Sequence, residues 1–147
     1  MHEFGELEDA IITALTPMLS SGLRTLDAYS GQLDVEEVEE VTLQFPCIYV
    51  IASGLRLTEG NRYDAYDMGA TLIVGDRNLR GSKAAARGDA VSPGVYQLLK
   101  EARDRLHHIK VLSAWAPLVL EREMPIAYAA KLNLCLYQAE YGTKMKK

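Results

Sequence analysis

The sequence predicts an α+β fold, an antiparallel or mixed sheet of about four to five strands packed with two main helices, and three patterns carry that reading. Tyr66, Met68, Ala70, Leu72 and Val74 place an apolar residue at every second position, while Asp67, Gly69 and Thr71 point the other way, as in a strand with one face on a core. Val95, Leu98, Leu99, Ala102, Leu106 and Ile109 recur at three- and four-residue steps, the stripe of a helix with one buried side. Phe4, Leu7, Ile11, Leu15 and Met18 repeat that spacing near the start. At 147 residues a single domain, 1–147, is expected, because a chain of this length hides roughly two-thirds of its unfolded surface without metals or disulfides.

In chain order, the first helix gathers Glu3, Glu6, Glu8 and Asp9 at its N-terminal end, where negative charge suits the helix dipole, and Pro17 marks its last turn or a kink. Residues 23–29 form a short strand candidate closed by Ser30-Gly31. Asp34 followed by Glu37 has the form of a capping box, and Val35, Val38 and Val41 give a narrow stripe for a brief helix whose glutamates face solvent. After Phe45-Pro46, the run 47–52 reads as the central strand, buried on both faces and extended by Leu55 and Leu57. Thr58-Glu59-Gly60-Asn61 turns the chain into the long strand as an antiparallel hairpin, and that strand stops at Gly75-Asp76.

From residue 77 to 91 neither period is present. Arg77, Arg80, Lys83 and Arg87 are interleaved there with Gly81, Gly88 and alanines, and a structureless loop of this length is either functional or mobile. Ser92 is placed to cap the following helix with Pro93 at its first position, and Arg103, Arg105, His107 and His108 occupy its last turns. Residues 111–123 are another strand candidate, assigned to an edge or a bulge by Pro117. A corner at Glu123-Met124-Pro125 leads to a last strand, 128–137, and the chain beyond Tyr141 reads as a polar, frayed tail.

The net charge of −4 argues against general nucleic-acid binding, which needs a basic face, and no apolar run reaches the ~18 residues of a membrane span. The acidic start is unlike a secretory signal, so the protein is expected to stay where it is made. Cys47 and Cys135 lie in strand-like runs and read as small buried hydrophobes. His107 and His108, adjacent on a helix and about 100° apart, cannot easily share a metal, and helix-end solvation accounts for them. His2 is no base for a nucleophile, and Gly75 to Gly81 lacks the ending of a phosphate loop. No catalytic residue, metal or cofactor is therefore expected. The enzyme alternative is a magnesium-dependent nuclease using Asp64, Asp67, Asp76, Glu121 and Glu123, but carboxylates alternating with apolar residues are what any exposed strand face presents. Trp115 carries enough apolar area to be a core or interface anchor.

Phe45-Pro46-Cys47-Ile48-Tyr49-Val50, then Arg77-Asn78-Leu79-Arg80-Gly81 with Ala84-Ala85-Ala86-Arg87-Gly88, then Gly94-Val95-Tyr96-Gln97-Leu98-Leu99 together resemble a family of small proteins from the tail gene cluster of Mu-like phages and prophages. The first helix and residues 128–137 also fit, so the resemblance spans nearly the whole chain. The family is similar to the tail-terminator group. That likeness implies a compact α+β subunit of a ring, usually hexameric, which caps the head-proximal end of the tail tube and allows head joining. The implied partners are the tail tube protein, the head-tail connector and further copies of the chain, with no specific nucleic acid and no membrane. The implied location is the host cytoplasm during assembly and then the virion tail. No catalytic residue comes with the resemblance. Arg77, Arg80, Lys83 and Arg87 are the candidate partner-binding residues, on a loop expected to be poorly ordered before assembly and to meet an acidic neighbour, the tube or, if it faces the lumen, passing DNA. Another neck or connector protein of the same virion is the alternative reading.

Overall fold

The computed structural model describes residues 2–33, 44–78, 80–90, 92–129 and 133–147. Along the chain lie α1 (Glu3–Leu15), a 3-10 turn (Thr16–Ser21), β1 (Thr25–Ala28), β2 (Cys47–Thr58), β3 (Ala65–Arg77), α2 (Ser82–Arg87), α3 (Val95–Leu106), β4 (Val119–Ala129) and β5 (Leu134–Lys146). The strands form one five-stranded mixed sheet in the order β1-β2-β3-β5-β4, with β1 parallel to β2 and the other neighbours antiparallel. This is the α+β class expected.

The periodic stretches fold as their spacing demands. In α1 the His2 ring accepts the Phe4 N–H at 3.2 Å, and Leu7, Ile11 and Leu15 are buried. Pro17 sits at the start of the 3-10 turn, and Gly22, at φ 113°, lets Leu23 N–H return to the Met18 carbonyl before β1. The hairpin of β2 and β3 forms as read, with Leu57 opposite Tyr66, and Met68, Ala70, Leu72 and Val74 all enter the core. α1 lies over β1 and β2, and α3 over β3, β5 and β4. Between helices and sheet, Leu7, Ile11, Ile48, Val50, Leu98, Leu106 and Trp115 pack with the β3 row, which gives Trp115 its anchoring role. A smaller cluster of Phe45, Cys47, Tyr49 and Leu134 covers one end of the opposite face. Because that second cluster is short, β2 is buried on both faces only over residues 47–50, and Ile51 is already exposed.

Several expectations are corrected. The strand expected to stop at Gly75-Asp76 runs on to Arg77, and the expected loop then contains α2, whose Ala85 and Ala86 are fully packed. A six-residue helix turns too few side chains inward to leave a periodic stripe. The next helix begins at Val95 behind Gly94, not at a Ser92 cap with Pro93 inside, and ends at Leu106, leaving Ile109 44% exposed. Residues 111–118 are irregular, and the strand starts at Val119, beyond Pro117. β4 is one of the two edge strands. Its internal proline is Pro125, where the ladder slips one residue before Ala127, so the expected corner is a bulge and not a turn. The chain turns instead near Asn133, at φ 54°, so 128–137 is not one strand.

The expected frayed tail is a strand. β5 pairs with β3 as far as Lys146 opposite Ala65, Tyr141 and Thr143 are buried, and the Thr143 hydroxyl donates to the Ala116 carbonyl at 2.6 Å. Lys147 and Asp64 then exchange backbone bonds of 2.8 and 3.0 Å. The polar letters of the tail belong to its open face. The brief acidic helix read at 34–41, with Ala130 and Leu132 of the last strand, lies outside the described residues.

Ending the chain after Tyr141 removes the rungs from Gly142 to Lys146. At about 1 kcal/mol net per hydrogen bond, the four bonds this segment makes to Asp64 and Ala116 alone cost roughly 4 kcal/mol, or about 8–16 °C in melting temperature, and the ladder bonds add to that. Thermal denaturation followed by circular dichroism checks this; an unchanged melting temperature would show the last rungs to be dispensable.

Candidate functional site

Arg80, Lys83 and Arg87 lie on the connection from β3 to α3, Arg77 is the last residue of β3, and two aspartates hold that connection against the sheet. Asp76, buried at the end of β3, accepts the Ser92 hydroxyl at 2.5 Å and the Gly94 N–H at 2.9 Å on one carboxylate oxygen. Its other oxygen accepts the Arg77 N–H at 2.7 Å. Asp89 accepts the Asn78 side-chain amide at 2.8 Å and the Ser92 N–H at 3.0 Å. Asn78 in turn accepts the Arg80 N–H at 2.9 Å and donates its backbone N–H to Asn133 at the start of the β5 hairpin. Gly88 and Gly94, at φ 81° and 80°, cross so closely that a Cβ on either would collide with the other strand of the crossing. Among its described residues the connection is therefore closed on itself by these contacts and carries a short helix, so it is not the stretch without secondary structure that was expected.

The cations divide by position. Arg77 is half-buried on the sheet, apart from the others. The Arg80 side chain is 75% exposed, with its guanidinium 3.8 Å from Asp89. Lys83 and Arg87, four residues apart on α2, are exposed on one side of it, away from Ala85 and Ala86. Thus Arg80, Lys83 and Arg87 are presented outward from a fixed platform. The aspartates that build this platform were not singled out as such from the sequence. Their signal was an acid at a strand end, paired with Ser-Pro-Gly before a helix.

The remaining candidates separate. A trough of about 700 Å³ crosses the sheet face away from the helices, where Gly54, Gly69 and Gly142 stand side by side. Both flanking strands slip register at that level, and the extra residues, Ser53 and Glu121, lean over Gly69 and Gly142. Asp67 lies in the trough 4.0 Å from Lys144. Of the five carboxylates weighed for a metal, only Asp67 and Glu121 share this trough. Glu123 is on the helix side, in a two-pronged pair with Arg103 at 2.7–2.9 Å, and Asp76 is taken up by its donors. Among the described residues no three metal-ligating side chains converge.

Cys47 and Cys135 are buried free thiols, as read, and burial pushes Cys47 up to about 12. His107 does more than solvate a helix end, because its Nδ1 accepts the Leu120 N–H of β4 at 2.9 Å. Among the described residues no helix is long and apolar enough to cross a membrane.

Burial outweighs the three donors at Asp76 and raises its carboxyl above the ordinary 3.8. As pH rises past that value the unfolded chain releases the proton first, so this group lowers stability progressively until the folded carboxyl has also ionised. The stability of the parent minus that of Asp76→Asn should fall as pH climbs from about 4, then level off. Urea melts at several pH values measure it, and a difference that rises with pH would contradict the assignment.

No curated protein is similar enough to the chain to count as a match. A family model described as Bacteriophage Mu, Gp37 matches residues 4–145, which takes in the cationic connection, the trough and all but the termini of the fold. With the three quoted stretches inside that match, the chain belongs to the bacteriophage Mu Gp37 family, a family of Mu-like phage tail-cluster proteins.

Proposed function

We propose that this chain is the tail terminator of a Mu-like phage or prophage, a ring subunit that caps the head-proximal end of the tail tube, stops its growth and offers a surface to the head. The observation that carries the reading is the family match over residues 4–145, which supports a structural role in a phage particle. The geometry adds a means of attachment. Arg80, Lys83 and Arg87 stand outward on a connection braced by Asp76 and Asp89, so an acidic face of the tube protein or of the connector would meet charge that needs little further ordering. The ring is hexameric in this reading, as in the group that the family is similar to.

Tail length decides the proposal. Lysates of the parent phage with this gene disrupted should contain overlong or unjoined tails by negative-stain microscopy; normal, attached tails would exclude a terminator. The attachment surface is tested separately by Lys83→Glu with Arg87→Glu. Both side chains are exposed, so the melting temperature should move by no more than about 2 °C, while binding to isolated tubes should fall at least about tenfold. Undiminished binding would remove α2 from the contact.

A further inference from the structure

β5 runs further along the sheet than its neighbour β4. The ladder between them ends at Val119 opposite Gly142, so from Thr143 to Lys146 the outer edge of β5 has no strand beside it. Lys147 and Asp64 exchange backbone bonds, which fixes the alternation: Met145 turns its N–H and carbonyl toward β3, while Lys144 and Lys146 turn theirs outward. The Lys144 carbonyl takes the Ala116 N–H at 2.8 Å. Among the described residues nothing is bonded to the outward N–H and carbonyl of Lys146. The outer edge of β4 is unlike this one, because Pro125 and two register slips, at Leu120/Arg122 and Pro125/Ala127, deny an added strand its register.

The side chains along this edge divide between two faces. Met145, opposite Tyr66, packs on the core side. Beside it the loop through Ala114 and Trp115 leaves a notch of about 360 Å³, room for a large apolar side chain against Trp115 and Met145. Lys144 and Lys146 alternate with Met145 and so belong to the other face, where Lys144 lies 4.0 Å from Asp67. Lys146 is exposed, and among the described residues no carboxylate pairs with it.

We propose that this edge of β5 receives an extended segment of a partner protein as an added strand, a segment in which acidic residues alternate with apolar ones. Its backbone pairs with Lys146 in line with Ala116. The alternation decides its chemistry: a residue set opposite Lys146 shares the face of that ammonium group and is an acid, while its sequence neighbours turn to the notch and are apolar. Lysines on an edge oppose strands that bring apolar or like-charged residues to them. The same lysines therefore disfavour the pairing of two β5 edges and admit an acidic strand. This surface lies at the far end of the β3–β5 ladder from Arg80, Lys83 and Arg87, so it is a second attachment point and does not depend on the terminator reading.

The test adds two synthetic peptides at millimolar concentration to the intact, isotope-labelled chain, one of three Glu-Val repeats and one of three Lys-Val repeats, both capped at each end. The acidic peptide should give saturable NMR shifts at the Lys146 amide and the Trp115 indole and slow hydrogen exchange at that amide; the basic peptide should give neither. Lys146→Glu should reverse the preference between the two peptides, which a merely misfolded variant would not do. Methylating the backbone nitrogens of the acidic peptide removes its donors and should weaken binding at least about tenfold. Shifts confined to other parts of the chain, no saturable shift, an unreversed preference, or undiminished binding of the methylated peptide each overturn the proposal. Tail length is measured separately, so failure here and failure of the terminator reading are distinguishable.

Discussion

The ladder between β3 and β5 is the interaction on which the rest of the molecule depends. It runs without a slip from Ala65 opposite Lys146 to Arg77 opposite Leu134, in the middle of the sheet. One side of it, Met68, Ala70, Leu72, Val74, Ala139 and Tyr141, is part of the core floor on which α1 and α3 lie. Its partners are distant in sequence, so α2, α3 and β4 are all enclosed between them, and closing that span costs chain entropy before any of the enclosed elements is held. The aspartate platform that carries Arg80, Lys83 and Arg87 hangs from Asp76 and Asn78 at one end of it.

Asp76 shows how a sheet end can order a connection that has no core of its own. Three donors from Arg77, Ser92 and Gly94 converge on one buried carboxylate, and Asp89 repeats the device from inside the connection. Hydrogen bonds to a charged acceptor are stronger than neutral ones, yet burial still weakens the ionised form, so the brace gains specificity more than stability. Cations on a braced segment lose less freedom on docking than cations on a loose one.

What the sequence made legible follows the same physics. A sheet with one dry face writes its alternation into β3, and helices with one dry side write theirs into α1 and α3, so fold class and the long elements could be read. Side chains that answer to distant partners could not. Ser92 has the letter of a helix cap, but its hydroxyl goes to Asp76, sixteen positions back. Pro125 has the letter of a corner, but an edge strand accommodates it in a bulge. The end of β5 carries lysines on its open face, and only the pairing with β3 reveals that Thr143 and Tyr141 are inside. Of the candidate site, the identities of Arg80, Lys83 and Arg87 were legible, while the order imposed on them depends on Asn78, Asp89 and two crossing glycines.

The thin cover at one end of the sheet has a dimensional cause. α1 has thirteen residues and α3 twelve, which span about 20 Å and 18 Å at 1.5 Å per residue. β3 has thirteen residues at roughly 3.3 Å each, or about 43 Å. Even laid along the strands, the helices reach less than half their length. The bulges at Ser53 and Glu121, level with Gly69 and Gly142, add bend and twist where the cover gives out. Beyond that level Trp115 and its loop fill one side, and Leu55, Leu57 and Tyr63 are left in solvent on the other. No rearrangement of these two helices could bury both ends of such a sheet.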